Sequence, residues 1–278
     1  MNTQISATEI LHVARQAAEA GAAVLRKRSA GVIGARNKSS DSDWVTDFDM
    51  AAERAVRDVI WRTRPHDAIT GEEYGTTVPA GAPSGIRWSI DPLDGTTNFI
   101  RNIVYYGTSV AAVNDNGEWL AGVVDAPALD RVYWAARGQG AWLRERGSVR
   151  QLSGPDPQQT GALIGSGFTY TAQRRGKQLL ELGSLMEGHG DLRRIGSAAL
   201  DLCMVADGTL DSFAERGLNE HDWAAAALIA EEAGAVVLRP ALTRALEGGP
   251  DDAERFGAFT AAGSADLIAA VRLLEAQG

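Results

Sequence analysis

Apolar positions recur at helical spacing near the start of the chain. Ser6-Ala7-Thr8-Glu9 carries a capping-box pattern, in which a hydroxyl and a carboxylate satisfy the free amides of a first turn. Ile10, Ala14, Ala17, Gly21, Val24 and Leu25 follow on one face and predict a helix to about Arg28. The polar stretch 37–43 predicts a loop. A second amphipathic helix is predicted from near Asp49, with Ala52, Val56, Val59 and Ile60 on one side and Pro65 as its stop. From residue 68 the apolar runs shorten to strand length, at 68–70, 86–90, 108–113, 119–125, 131–136 and 141–143. Asn114-Asp115-Asn116-Gly117 reads as a hairpin turn between two of them. Ser153-Gly154-Pro155-Asp156-Pro157 is the clearest linker and divides the chain into expected lobes 1–155 and 156–278. Beyond it, predicted strands at 163–166, 212–214 and 235–238 are interspersed with predicted helices at 172–187, 198–206, 223–233 and 266–276. The pattern is that of an α/β or α+β chain.

Composition narrows the partners. Of 278 residues, 45% are hydrophobic and 23% charged, an ordinary globular mixture. Lys plus Arg number 27 against 36 Asp plus Glu, a net charge of −9, which disfavours nucleic acid and anionic membranes as general partners. No run approaches the roughly 18 apolar residues that a membrane-spanning helix needs. The first residues lack a secretory pattern, so a cytoplasmic location is expected. Cys203 is the single cysteine, which excludes an intrachain disulfide and a multi-cysteine zinc site.

The most informative stretch is Trp88-Ser89-Ile90-Asp91-Pro92-Leu93-Asp94-Gly95-Thr96-Thr97-Asn98-Phe99. An apolar strand ends in Asp91, and Asp94 follows across a proline that stiffens the turn. Gly95 permits close backbone approach, leaving its amide and that of Thr96 free to meet an anion at a helix start. Taken alone, Asp-x-x-Asp-Gly reads as a capped bend. Gly71-Glu72-Glu73 after a predicted strand and Asp222 before a predicted helix supply further acids in similar settings. Carboxylates at strand ends and helix starts can converge on one rim of a sheet, where α/β folds bind ligands. Cation ligands beside an anion cradle suit metal-assisted phosphoryl chemistry.

These residues closely resemble the inositol monophosphatase family, within the lithium-sensitive, magnesium-dependent sugar-phosphatase superfamily. Gly71-Glu72-Glu73 and Asp91 to Phe99 match its central motifs. Lys38-Ser39-Ser40, Val45-Thr46 and Asp49 match its N-terminal region, and Gly196-Ser197-Ala198, Glu215 and Asp222 its C-terminal region. The resemblance implies an α+β layered α-β-α-β-α sandwich, with most metal ligands in the first lobe and the site where the halves meet. It implies a Mg²⁺-dependent phosphomonoesterase acting on a small polyol phosphate, myo-inositol 1-phosphate first, and a homodimer. It assigns one Mg²⁺ to Glu72, Asp91 and the carbonyl of Leu93, and a second to Asp91, Asp94 and Asp222. A weaker third would rest on Glu72. Asp94, Gly95 and Thr96 would meet the phosphate, with Thr96, Asp49 and Glu72 activating the attacking water. Gly196, Ser197, Ala198 and Glu215 would line the alcohol pocket.

The chain departs from the family pattern in places. The usual Trp-Asp is here His221-Asp222-Trp223, Leu93 replaces the commoner Ile, and Tyr74 stands where Ser is frequent. Asp47 adds a carboxylate upstream of Asp49. His12, His66, His189 and His221 show no metal-ligand spacing; His221 adjoins Asp222 and is weighed between tuning the second metal and a surface or packing role, with the latter favoured. Trp44 and Trp223 are expected to pack. Lys38 is divided evenly between a solvated loop and the metal-site waters, and Arg193 or Arg194 is considered for a second anionic group. Histidinol phosphate, fructose 1,6-bisphosphate and 3′-phosphoadenosine 5′-phosphate remain alternative substrates. An aspartyl-phosphate mechanism of haloacid-dehalogenase type needs aspartates at i and i+2, whereas here they stand at i and i+3. A non-catalytic interaction protein on the same fold is the third reading.

Overall fold

Strands that read as unbroken apolar runs prove to be covered on both faces. The computed structural model describes residues 6–28, 34–37, 44–156, 158, 160–169, 172–240 and 258–276. The first half runs α1 (Ala7–Leu25), β1 (Ala35–Asn37), β2 (Trp44–Thr46), α2 (Asp47–Thr63), β3 (Ala68–Gly71), β4 (Gly75–Thr77), β5 (Ile86–Asp94) and α3 (Thr96–Arg101). Then follow β6 (Gly107–Asn114), β7 (Trp119–Ala126), β8 (Arg131–Ala136), β9 (Ala141–Glu145) and β10 (Ser148–Gln151). The second half holds β11 (Leu163–Gly165), α4 (Ala172–Leu185), β12 (Asp191–Arg193), α5 (Ala198–Asp207), β13 (Ser212–Arg216), α6 (Glu220–Glu232), β14 (Val236–Leu238), β15 (Phe259–Gly263) and α7 (Ala265–Ala276).

An eight-stranded sheet takes the order β10-β9-β8-β7-β6-β5-β3-β4, and a five-stranded sheet the order β12-β11-β13-β15-β14. Along β6 and β7 alternate residues face opposite sides, as the pleat requires. Val110, Ala112, Ala121 and Val123 meet Ile10, Ala14, Val56 and Ile60 of α1 and α2. Ala111, Val113, Val124 and Ala126 belong instead to the core shared with α5 and α6. That core reaches Phe213 and Ala262 of the smaller sheet, whose far face is closed by Leu185 of α4 and Leu267, Ile268 and Val271 of α7. The layers are therefore α1/α2, large sheet, α5/α6, small sheet and α4/α7, the α+β sandwich that the resemblance implies.

α6 lies between the sheets, and every residue from Trp223 to Ala230 is buried. This explains its lack of a polar stripe: a helix covered all round needs none. Gly122 on β7 lets it approach, since a Cβ there would lie 2.6 Å from the Ala225 carbonyl oxygen. Trp223 packs edge-on against Trp119, with ring centroids 5.7 Å apart.

Differences from the predicted elements have local causes. α2 begins at Asp47 rather than near Asp49, because Thr46 accepts from the Phe48 amide and caps it. β4 and β10 are exposed throughout and carry no alternation to read. β15 is wholly buried, but its Thr, Ala and Gly residues form no conspicuous apolar run. Within the predicted loop 37–43, Asn37 belongs to β1, while 38–43, with Lys38-Ser39-Ser40, lies outside the described residues, as does the Trp44 side chain. In the linker, residues 153–156 have no regular structure and Pro157 lies outside the described residues.

Candidate active site

Three strand ends and the starts of α2, α3, α5 and α6 supply the site. β3 runs parallel to β5, with Gly71 opposite Ile90, and the Glu72 amide donates to the Ile90 carbonyl at 3.2 Å. Glu72 is therefore level with Asp91, although 19 positions separate them. On the other side of β5, Asp91 pairs with Ser109 and Asp94 with Gly107 of β6. Three steps along β5 thus match two along β6, which is a one-residue bulge at Pro92-Leu93. Residues at i and i+3 of a regular strand face opposite sides; the extra residue returns Asp94 to the side of Asp91. Pro92, lacking an amide proton, loses nothing at the bulge.

Chain segments around the bulge are tied in place. Asp91 Oδ1 accepts from the Leu93 amide at 3.0 Å. The Leu93 side chain is buried with Leu25, Phe99 and Tyr106, and its carbonyl oxygen lies 3.0 Å from the Thr96 hydroxyl. That hydroxyl also lies 3.0 Å from Asp49 Oδ1. Asp49 is itself buried, its Oδ2 accepting from the Thr46 amide at 2.7 Å and the Thr46 hydroxyl at 2.6 Å. Asp47 points away and pairs with Arg36 at 3.3 Å. Gly95, with φ of 91°, turns the chain into α3; a Cβ there would lie 2.9 Å from the Tyr105 carbonyl.

The second half reaches the same rim. Asp94 Oδ2 accepts from the Ser197 hydroxyl at 2.6 Å and the Ala199 amide at 2.8 Å, fixing the start of α5. Asn98 donates to the Ile195 carbonyl at 3.0 Å, beside Gly196 and Ala198. At the start of α6, Asp222 Oδ2 accepts from the Asn219 amide at 2.6 Å. The α6 start is pinned to β5 by a bidentate Arg87–Glu220 pair, with Nη2 and Oε2 2.9 Å apart. Glu215, from β13, packs against Gly167, where a Cβ would lie 2.2 Å from its carboxylate.

Electrostatics joins these acids into one system. Burial, followed by the charges of Glu72, Asp94 and Asp222, raises the Asp91 carboxyl far above the ordinary range. Burial likewise lifts Asp94 to about 7, with Asp222 and Glu72 adding to the rise and the Ser197 and Ala199 hydrogen bonds opposing it. Glu215 is pushed to about 8 by burial, then by Asp201 and Asp222, while Arg194 acts against them. Buried carboxylates that repel one another fit a bound cation, whose charge removes the repulsion. The oxygen donors suit Mg²⁺.

One triangle is tighter than the rest. Ligand atoms of Glu72, Asp91 and His221 all lie within 4.8 Å of one another. Of the two roles weighed for His221, this placement favours the one beside the metals: the first turn of α6 brings a ring nitrogen toward the acids. Asp94 and Asp222 lie outside that triangle, although His221 Nε2 is 3.5 Å from Asp222 Oδ1. Asp201 is a further residue that the sequence reading missed, buried and accepting from the Tyr105 hydroxyl at 2.7 Å. Its place in an Ala- and Leu-rich helix gave no signal beyond a polar residue inside an apolar run. Of the two arginines considered, Arg193 pairs with Asp191 at 2.7 Å, whereas Arg194 acts on Asp201 and Glu215. Tyr74 is half-exposed and lies beside Arg54 and Arg57.

The layers and the acid-lined rim are those of a phosphoric monoester hydrolase. The chain belongs to the inositol monophosphatase family, whose family model matches residues 6–271. It is 44% identical over 240 residues to an inositol-1-monophosphatase of Mycobacterium bovis, covering 81% of this chain and 82% of that one. It is 38% identical over 230 residues to the Nus factor SuhB of Salmonella typhimurium, covering 77% of this chain and 82% of that one. A crystal structure of extragenic suppressor protein SuhB from Bartonella henselae superposes with a TM-score of 0.80 at 30% identity, over 96% of this chain and 98% of that one. No helix among the described residues is long and apolar enough to cross a membrane.

Proposed function

We propose that this phosphatase is Mg²⁺-dependent and hydrolyses a small polyol phosphate, myo-inositol 1-phosphate first among the candidates. The observation that carries the reading is the gathering of Glu72, Asp91, Asp94 and Asp222 beside the Thr96–Asp49 hydrogen bond. Glu72, Asp91 and the Leu93 carbonyl would hold one Mg²⁺, and Asp91, Asp94 and Asp222 a second, with a weaker third on Glu72. When bound, the cations supply the charge that stabilises the entering and leaving oxygens of an in-line displacement and acidifies the attacking water.

The chain's own groups do the rest. Amides of Gly95 and Thr96 hold the phosphate, with Asp94 alongside. Asp49 Oδ1 accepts the Thr96 hydroxyl proton, so that the Oγ1 lone pairs face the attacking water, and Glu72 accepts from the same water. Asp49 Oδ2, already taken by two Thr46 donors, keeps the carboxylate from rotating. Gly196, Ser197, Ala198 and Glu215 form the wall against the alcohol. The lobes 1–155 and 156–278 act as one catalytic unit, supported by the Asp94–Ser197 bond that joins them. Homodimerisation and Li⁺ inhibition in the millimolar range come with the family resemblance, and a cytoplasmic location with the sequence pattern.

The relative named a Nus factor supports a second reading, a binding partner for a macromolecule, but the acid set argues for retained turnover. Phosphate release should be screened over inositol 1-phosphate, histidinol phosphate, fructose 1,6-bisphosphate and 3′-phosphoadenosine 5′-phosphate. The expected result is Mg²⁺-dependent release, fastest from inositol 1-phosphate and lost in Asp91→Asn with the fold intact. Full activity in Asp91→Asn would refute the metal assignment.

A further inference from the structure

His221 stands where the family pattern has an indole, and an indole offers no lone pair to a metal. Its side chain is 14% exposed and rises from the first turn of α6, beside Asp222. A ring nitrogen and one oxygen each of Glu72 and Asp91 lie within 4.8 Å of one another. Two donors bound to one ion at about 2.0–2.2 Å stand at most about 4.4 Å apart, so small side-chain motions close this triangle on a cation. The elements that aim these groups are anchored. β3 and β5 are hydrogen-bonded neighbours, and the Arg87–Glu220 pair pins α6 to β5 one residue before His221.

We propose that His221 is a direct nitrogen ligand at the Glu72–Asp91 position, and that it shifts this position from Mg²⁺ toward a first-row transition cation such as Mn²⁺. The proposal rests on the reading of this rim as a divalent-cation phosphatase site and refines which cation fills it. The chemistry is that of donor softness. Mg²⁺ takes oxygen ligands and gains little from imidazole, whereas transition cations bind imidazole well. An all-oxygen version of the same position would discriminate less. The competing role for His221, orienting Asp222 through their 3.5 Å approach, would affect both cations alike.

Mn²⁺ titrations followed by electron paramagnetic resonance, with Mg²⁺ measured by calorimetry, separate the two roles. Wild-type protein loaded with one Mn²⁺ should show ¹⁴N coupling in its electron spin echo, and this measurement needs no variant. In His221→Gln the coupling should vanish and Mn²⁺ affinity should fall about tenfold or more, while Mg²⁺ affinity changes less than about twofold. Asp91→Asn, which removes a shared ligand, should lose both ions. Mn²⁺ binding that depends on Asp91 but shows no nitrogen coupling overturns the proposal and leaves the phosphatase reading standing. Parallel losses of Mn²⁺ and Mg²⁺ in His221→Gln overturn it in favour of the positioning role. Absence of any Asp91-dependent binding overturns both readings.

Discussion

Asp125 lies on β7, facing Arg26 at 3.5 Å and Glu19. Burial first, and then the neighbouring Glu19, lift its carboxyl from the ordinary 3.8 to about 7, against the pull of Arg26. Glu19, more exposed and directly paired with Arg26 at 2.7 Å, is held below its ordinary value. The proton of the pair therefore sits on Asp125. The folded chain binds it more tightly than the unfolded chain, so its stabilising contribution is complete below about pH 4 and is lost as pH rises through about 7. Asp125→Asn mimics the protonated form. Urea unfolding at pH 5 and pH 8.5 should show the variant gaining on wild type at the higher pH; a constant difference would contradict the assignment. Single residues were unevenly legible at the site. Asp91 and Asp94 announced themselves in a contiguous motif, whereas no chain spacing pairs His221 with Glu72 or Asp91.

Elements explain that gap. What brings Glu72 level with Asp91 is the parallel β3–β5 pairing, and what puts Asp94 on the same face is the bulge at Pro92-Leu93. Neither is written in residue types alone. The turn that bears Glu72 is held from below by Glu53, which is fully buried and bonded to Arg57 at 2.8 Å and to the Glu73 amide at 2.7 Å. Arg57 in turn donates to the Gly75 carbonyl at 2.6 Å. Gly71 has no room to change, because a Cβ would lie 2.1 Å from Glu53 Oε1. Gly71→Ala should cost about 1–3 kcal/mol in denaturant melts and weaken divalent-cation binding. Wild-type affinity in this variant would show that Glu53 does not position Glu72. The short strands β4 and β10 were illegible for a related reason: exposed, three or four residues long, they are defined by their neighbours rather than by their own pattern.

At the scale of the whole molecule, the layer order was legible because amphipathic helices, doubly buried strands and an all-apolar α6 can be stacked in few ways. The meeting of the two halves was not legible from pattern alone; it came with the family resemblance. Their junction carries the buried acids, so folding without cations brings like charges together out of water. Metal binding should therefore stabilise the entire fold. At about 100 times Kd, one site contributes about 2.7 kcal/mol, which is several degrees in Tm. A chelated sample should melt lower than one with Mg²⁺, and Asp222→Asn should reduce the difference. Equal melting temperatures with and without cation would remove the link between the site and the junction.

On the proposed reading the net charge of −9 has little bearing on a small phosphate, because the acids that matter are those a cation would cover. The most direct test of the central claim is phosphate release from myo-inositol 1-phosphate by the full chain, first stripped with a chelator and then reloaded with Mg²⁺. No release is expected from the stripped protein, with recovery on reloading and no recovery in Asp222→Asn. Release that persists without divalent cations, or that survives in Asp222→Asn at the wild-type rate, would contradict the claim.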